Sequence, residues 1–178
     1  MKKNLLIPFV SILLTGLLLL GLSAGLNGIA AKNAHEEHLS IMKTLLHGSE
    51  TFVVEEYTGD DENIVSVHKA ENGYVIETTT PGYAKDITML VAVTNEGKVV
   101  GLVVREMHET PSLGLNALND ADFLSQFLNT SGEAEVGTNV DAITGATVTS
   151  KAIARCINSA VAYVTGADID SGATSWGG

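Results

Sequence analysis

Three patterns of apolar and polar positions follow one another along the chain. From Leu5 to Gly25 no residue is charged, and Leu, Ile, Val and Phe dominate. At about 1.5 Å per residue such a run spans roughly 31 Å, close to the hydrocarbon thickness of a bilayer. It predicts a transmembrane anchor over 5–27, with Pro8 in the first turn, where its missing N–H matters little. Next, Leu39, Met42, Leu45 and Leu46 recur at helical spacing between His35 and His47, and Gly48 is placed as a C-cap. This predicts an amphipathic helix over 34–48. After Thr51 the pattern changes to short β-rich runs. Thr51–Tyr57, Asn63–His68 and Gly73–Thr80 each read as a strand, and Asp86–Thr94 and Lys98–Arg105 flank the hairpin signal Asn95-Glu96-Gly97. Met107 to Gly114, polar and broken by Pro111 and Gly114, reads as a loop. Asp120–Leu128 predicts a helix with Asp120 as its N-cap. Ile153, Cys156, Ile157, Ala160, Val161 and Val164 then share one face of a helix capped by Thr149 or Ser150 and running to about Val164.

The expected architecture is α+β: an N-terminal transmembrane helix followed by one domain, over 49–165, with an antiparallel sheet and flanking helices. A Gly-, Ser-, Ala- and Asp-rich tail over 166–178 reads as flexible. Beyond the leader about 145 residues remain, enough for a single core.

Charge orients this layout. Lys2 and Lys3 precede the apolar run, while Lys32, Glu36 and Glu37 follow it. The positive-inside rule therefore leaves residues 1–4 in the cytoplasm and places the domain on the outer side of the cell (inner) membrane. A cleaved signal peptide is the competing reading, since Gly28-Ile29-Ala30 has the small residues of a cleavage site. Its apolar stretch is ordinarily only about 7–15 residues, which favours an uncleaved anchor in the lipid bilayer. All 21 acidic residues follow residue 31, with eight of the ten basic ones, giving that part a formal charge of −13. Such a surface argues against nucleic acid or anionic lipid as a partner of the domain. Cys156 is the single cysteine, so no internal disulfide is expected; its place on the apolar stripe makes it a small buried hydrophobe. His35, His38 and His47 match no ligand pattern, and no metal site is expected.

The segment Asp141-Ala-Ile-Thr-Gly-Ala-Thr-Val-Thr-Ser-Lys151 is where chemistry concentrates. Gly145 and Ala146 let the backbone turn tightly and approach a ligand. A helix starts just after them, and its first N–H groups favour an anion, phosphate above all. Thr144, Thr147, Thr149 and Ser150 add hydroxyls, and Lys151 a positive charge. On these grounds alone the segment is either a phosphate site or a capped helix. It is not a Walker loop, which needs a second glycine and a Gly-Lys-Ser/Thr ending.

The same segment resembles the flavinylation motif Asp-x-x-Ser/Thr-Gly-Ala-Thr/Ser of the FMN-binding domain family. The resemblance implies an FMN covalently joined through its phosphate to the Thr147 hydroxyl. Asp141 would be the motif acid, with Thr144, Gly145, Ala146, Val148 and Thr149 around the cofactor. A dedicated flavin transferase that uses FAD would install it. His108-Glu109-Thr110-Pro111-Ser112-Leu113-Gly114 is similar to the family's His-x-Glu-Thr-Pro-Gly-Leu-Gly loop, which implies Glu109, Thr110, Leu113 and Gly114 as further cofactor contacts. It departs from that loop in lacking the residue between His and Glu and in having Ser112 in place of Gly. Gly82-Tyr83, leading into a strand and hairpin, is a third point of likeness. The likeness runs roughly from Gly73 to Val164. Together with the anchor it most resembles the G subunits of Rnf complexes, which couple ferredoxin and NAD⁺ redox chemistry to ion transport. The implied partners are the other membrane subunits of such a complex. The C subunit of the sodium-pumping NADH:quinone reductase and a free-standing extracytoplasmic flavoprotein are the alternatives, and a non-redox module in which the motif is only a helix cap is a third. No catalytic residue is implied, because the chain would carry electrons within a larger enzyme.

Spacing allows a second acceptor: Asp168-Ile-Asp-Ser-Gly-Ala-Thr174 also fits the motif. Thr147 is followed by a helix able to stabilise a phosphate, whereas only four residues follow Thr174. That context favours Thr147.

Overall fold

The computed structural model describes residues 15–16, 32–106, 120–131 and 134–167. The expected anchor, the loop at 107–119 and the tail from 168, including Thr174, therefore lie largely or wholly outside the described residues. Among the described residues no helix is long and apolar enough to cross a membrane. The chain divides into two compact units, Met1–Ser40 and Ile41–Gly178. A helix over 32–45, α1, contributes its last residues to the second unit, close to the extent expected from its apolar spacing.

The second unit is built on a five-stranded antiparallel sheet in the order β1-β2-β3-β4-β5, each strand beside its neighbour in sequence. The strands are β1 Val53–Glu55, β2 Ile64–Lys69, β3 Gly73–Pro81, β4 Asp86–Thr94 and β5 Val99–Glu106. All five were expected, and β4 has the expected limits. β1 is shorter than the Thr51–Tyr57 run because its pairing with β2 extends only from Val53↔Lys69 to Glu55↔Val67. At this edge Val53 and Val54 remain exposed. β3 and β4 pair without interruption from Gly73↔Thr94 to Pro81↔Asp86. Gly97, at φ +82°, supplies the left-handed residue of the following hairpin.

β4 shows why the unit is layered. Met89-Leu90-Val91-Ala92-Val93 is a continuous apolar run, and every residue in it is buried. A strand buried on both faces needs cover on both. On one face Ile76, Ile87, Met89, Val91 and Val93 join Ile153, Cys156, Ile157, Ala160 and Val161 of the long helix Thr147–Thr165 in one core. Each large side chain removed from water there contributes about 1.5–3 kcal/mol. The other face presents Val75, Leu90 and Ala92, all fully buried. Ala92 pairs with Gly101. A Cβ at Gly101 would lie 2.6 Å from the Leu45 carbonyl oxygen, so the end of α1 rests directly on the strand backbone. Met42 and Leu46 of that segment are buried as well.

Along the chain, α2, Ala121–Ser125, lies between β5 and the long helix. Its N-cap is Asp120, as expected, with the carboxylate accepting from the Phe123 N–H at 3.0 Å. The helix stops short of Leu128. Asn129 turns into the left-handed region at φ 63°, and the chain pairs with the start of β5 through Asn129 N–H to the Val99 carbonyl (2.7 Å) and Val99 N–H to the Thr130 carbonyl (3.0 Å). Docking on a strand edge outweighs another helical turn. Phe123 and Phe127 meet edge to face, 5.3 Å between centroids. The long helix, α3, ends on Gly166 at φ 68°, whose N–H donates to the Ala162 carbonyl.

Candidate functional site

α3 lies antiparallel to β3. Tyr74 and Tyr163 meet edge to face at 5.8 Å near one end. Towards the other end, the Thr80 hydroxyl donates to the Ala152 carbonyl at 3.0 Å. The N-terminus of α3 thus sits at the end of the sheet where β3 turns into β4. β5 finishes at that end too, since Glu106 pairs with Thr88 near the start of β4.

The motif forms the approach to this helix end. Gly145 is at φ +80°, a conformation that favours glycine, and the Ala146 N–H donates to the Ile143 carbonyl at 2.9 Å to close the turn. Helix α3 begins at Thr147. This corrects the expectation that Thr149 or Ser150 would cap it: the N-cap is Ala146, which has no side chain able to accept a hydrogen bond. Thr149 and Ser150 fall inside the first turn and are buried. Ser150 is bonded there instead. Its hydroxyl donates to the Ala146 carbonyl (2.9 Å) and accepts from the Ile143 N–H (3.2 Å), pinning the turn to the helix it precedes.

The result is a helix start without a side-chain cap, with no acidic residue in its first turn. Thr147 is exposed at its first position, Thr144 and Gly145 are at least partly exposed beside it, Val148 is half-buried, and Ala146 is buried. Lys151 is exposed one turn further along, near Thr147 on the helix surface. N–H groups, hydroxyls and one ammonium around an uncapped helix end fit a phosphate ester well.

The holding roles of two residues were not evident in the sequence. Ser150 is one. The other is Gln126, just after α2, whose side-chain oxygen accepts from the Asp141 N–H at 2.8 Å and whose amide nitrogen donates to the Asp141 carbonyl at 3.4 Å. A single carboxamide thereby holds both backbone groups of the first motif residue, while the Asp141 residue itself is exposed. No motif spacing connects positions fifteen apart, so only the folded chain brings this pair together. Glu109, Thr110, Leu113 and Gly114 lie outside the described residues.

Behind the helix, Cys156 is fully buried, with its sulfur 3.3 Å from the Thr80 hydroxyl and 3.8 Å from the Ile87 carbonyl. Burial pushes its thiol up, and the Thr80 contact offsets this in part. Its role is packing, as its place on the apolar stripe implied. Among the described residues no group of His, Cys, Asp and Glu could hold a metal ion.

Comparison with known proteins bears on the same region. Residues 82–162 match the FMN-binding domain model, which takes in β4, β5 and the motif and ends within α3. The chain is 39% identical over 99 residues to the G subunit of a proton-translocating ferredoxin:NAD⁺ oxidoreductase complex from Clostridium ljungdahlii, covering 52% of this chain and 53% of that one. It is 32% identical over 100 residues to the G subunit of the Na⁺-translocating complex of Acetobacterium woodii, covering 50% and 47%. To the G subunit of an ion-translocating oxidoreductase complex from Escherichia coli O157:H7 it is 34% identical over 119 residues, covering 59% and 58%. The chain spans about half the length of the curated relatives it matches. The likeness seen in the flavinylation motif is thus matched by an independent alignment that contains it: over residues 82–162 this chain is similar to the FMN-binding domain family.

Proposed function

We propose that this protein is a membrane-anchored electron carrier, with FMN esterified to Thr147, in an Rnf-type complex that couples electron transfer between ferredoxin and NAD⁺ to ion translocation. The observation that carries the reading is the exposed Thr147 at the uncapped N-terminus of α3, inside the segment that matches the FMN-binding domain. The relatives, G subunits of ion-translocating complexes, support the assignment to such an assembly.

In this reading a flavin transferase joins the Thr147 oxygen to the FMN phosphorus of FAD. The pyrophosphate bond breaks, AMP leaves, and the threonine proton is lost. Bound FMN supplies the redox chemistry, accepting and passing on electrons. The chain's own residues hold it. N–H groups at the start of α3 and the Lys151 ammonium offset the charge of the phosphodiester, Gly145 gives the backbone its turn, and Ser150 and Gln126 fix the acceptor in place. Glu109, Thr110, Leu113 and Gly114 are the proposed contacts from the neighbouring loop. The run over 5–27 anchors the chain in the bilayer with residues 1–4 in the cytoplasm and the FMN domain outside, beside the other membrane subunits.

The test is expression with the flavin transferase, denaturation, and a search for flavin fluorescence that stays with the chain on a gel. Absence of that fluorescence would refute the covalent cofactor. Peptide mass spectrometry of wild type, Thr147→Val and Thr174→Val then places the adduct. An FMN mass that survives Thr147→Val and disappears in Thr174→Val would move the site to the tail. Gentle purification from the membrane identifies the neighbouring subunits and decides between Rnf-type and quinone-reductase-type complexes.

A further inference from the structure

The seven-residue motif occurs twice in the sequence. Asp141, Thr144, Gly145, Ala146 and Thr147 return twenty-seven positions later as Asp168, Ser171, Gly172, Ala173 and Thr174. The one change, serine for threonine at the fourth position, keeps the hydroxyl. A match on spacing is weak alone and needs a structural context. The fold around Thr147 supplies one, because it separates the groups that the motif offers to solvent from those that packing uses.

Four of the five fixed positions, Asp141, Thr144, Gly145 and Thr147, are exposed, and only Ala146 is buried. The residues that tie this turn to the domain are others. Ile143 packs, partly buried, against the core, and Thr149 and Ser150 are buried in the first turn of α3. At the matching places the second copy has Asp170, Trp176 and Gly177. An aspartate would bring a charge against apolar side chains, and an indole is far larger than the threonine it would replace in a closed site. Glycine lacks the hydroxyl by which Ser150 pins the turn. The copy at 168–174 therefore cannot take the place of 141–147 in the domain. It repeats the part of the motif that faces solvent, and an enzyme acting on a finished chain meets it through exposed groups. Thr165, Gly166 and Ala167, which lead towards the second copy, are exposed as well.

We infer that Thr174 is a second acceptor for FMN, modified by the same transferase from FAD. The inference rests on the Thr147 reading, from which it takes the enzyme and the donor. The Thr174 oxygen bonds to the FMN phosphorus, the pyrophosphate bond of FAD breaks, AMP leaves and the hydroxyl proton is lost. The two acceptors differ in rate. Around Thr147 the turn is already held by Ser150 and Gln126, so little ordering remains when the enzyme binds. With Gly177 in place of Ser150, the second copy has to be ordered on binding, which costs free energy. Thr147 is filled first and Thr174 more slowly. A second FMN doubles the electrons that one chain can hold.

The experiment uses the full chain with the transferase and FAD, and follows intact mass over time. Wild type is expected to gain one FMN mass quickly and a second slowly. Thr174→Val keeps only the fast adduct, Thr147→Val only the slow one, and the double variant takes up none. In the Thr147→Val chain, Asp168→Ala is expected to lose most of the remaining adduct, and unchanged loading there would overturn the reading of 168–174 as a motif. A wild-type chain that stops at one FMN, lost in Thr147→Val, overturns the inference and leaves the Thr147 reading intact. One FMN that survives Thr147→Val and is lost in Thr174→Val supports the tail acceptor and overturns the Thr147 reading instead. No adduct on wild type overturns both.

Discussion

Replacing Gln126 by Ala isolates the contribution of the clamp on Asp141. The side chain makes two hydrogen bonds, at 2.8 and 3.4 Å, to a backbone segment that is itself exposed. Each is a neutral bond exchanged against water, worth about 0.5–1.5 kcal/mol, and the longer one lies at the weak end. Their joint loss comes to about 1–2 kcal/mol. For a unit of this size that corresponds to a fall in melting temperature of about 4–8 °C. The larger effect is local. The acceptor turn is short and exposed, so its opening costs little, and losing 1–2 kcal/mol enlarges the open population by about five- to thirty-fold. Covalent flavin incorporation in a timed reaction with the transferase and FAD should slow, by at most that factor, as the closed population falls. Gln126→Glu keeps an acceptor for the Asp141 N–H but loses the donor to its carbonyl, and should fall between Ala and wild type. If Gln126→Ala loses the expected thermal stability yet is flavinylated at the wild-type rate, the clamp is structural only and its proposed role in fixing the acceptor is wrong.

Three further expectations rest on other parts of the structure. Gly145→Ala places a Cβ on a residue at φ +80° and should cost about 1–2 kcal/mol, whereas Gly145→Asn, which tolerates that region, should cost less; equal melting temperatures and equal flavin loading for the two would contradict the assigned turn. Gly101→Ala forces a methyl to 2.6 Å from the Leu45 carbonyl and should destabilise the domain by about 1–3 kcal/mol, read as a shifted urea midpoint with unchanged slope. Burial raises the Cys156 thiol, so the folded state holds its proton more tightly than the unfolded chain. The stability this confers is complete below the unfolded thiol's range, near about pH 8.5, and is lost as pH rises through the folded value. Cys156→Ala should accordingly show a shallower alkaline decline in melting temperature, and an identical decline would rule this out.

Much of the fold was legible because it depends on local periodicity. Asp86–Thr94 declared itself by an apolar run too continuous for a surface strand, and Asn95-Glu96-Gly97 by its turn chemistry. The stripe on α3 marked the buried face of the helix. What the sequence concealed depends on tertiary position. The hydroxyls of Thr149 and Ser150 suggested a cap, yet Ser150 is used inside the first turn and Ala146 begins the helix. The Gln126 clamp joins residues with no shared period. Tyr57, Tyr74 and Tyr163 come from two strands' surroundings and a helix, and only folding makes them one cluster. Thr147 and Thr174 were equal on spacing, and only the first has a described structure around it.

Helix α3 is both the lid of the core and the bearer of Thr147, and this couples two events in time. The meander can pair strand by strand as the chain is made, each strand finding the one before it. Ile76, Ile87, Met89 and Val91 nevertheless stay uncovered on one face until the segment beyond residue 147 arrives. The turn at Gly145 gains its Ser150 bonds only when that helix winds up. A fragment truncated before α3 therefore has neither a closed core nor Thr147. If Thr147 carries FMN as proposed, a modifying enzyme that recognises the formed turn would act there only on chains that have finished folding, and the cofactor at Thr147 would mark completed chains.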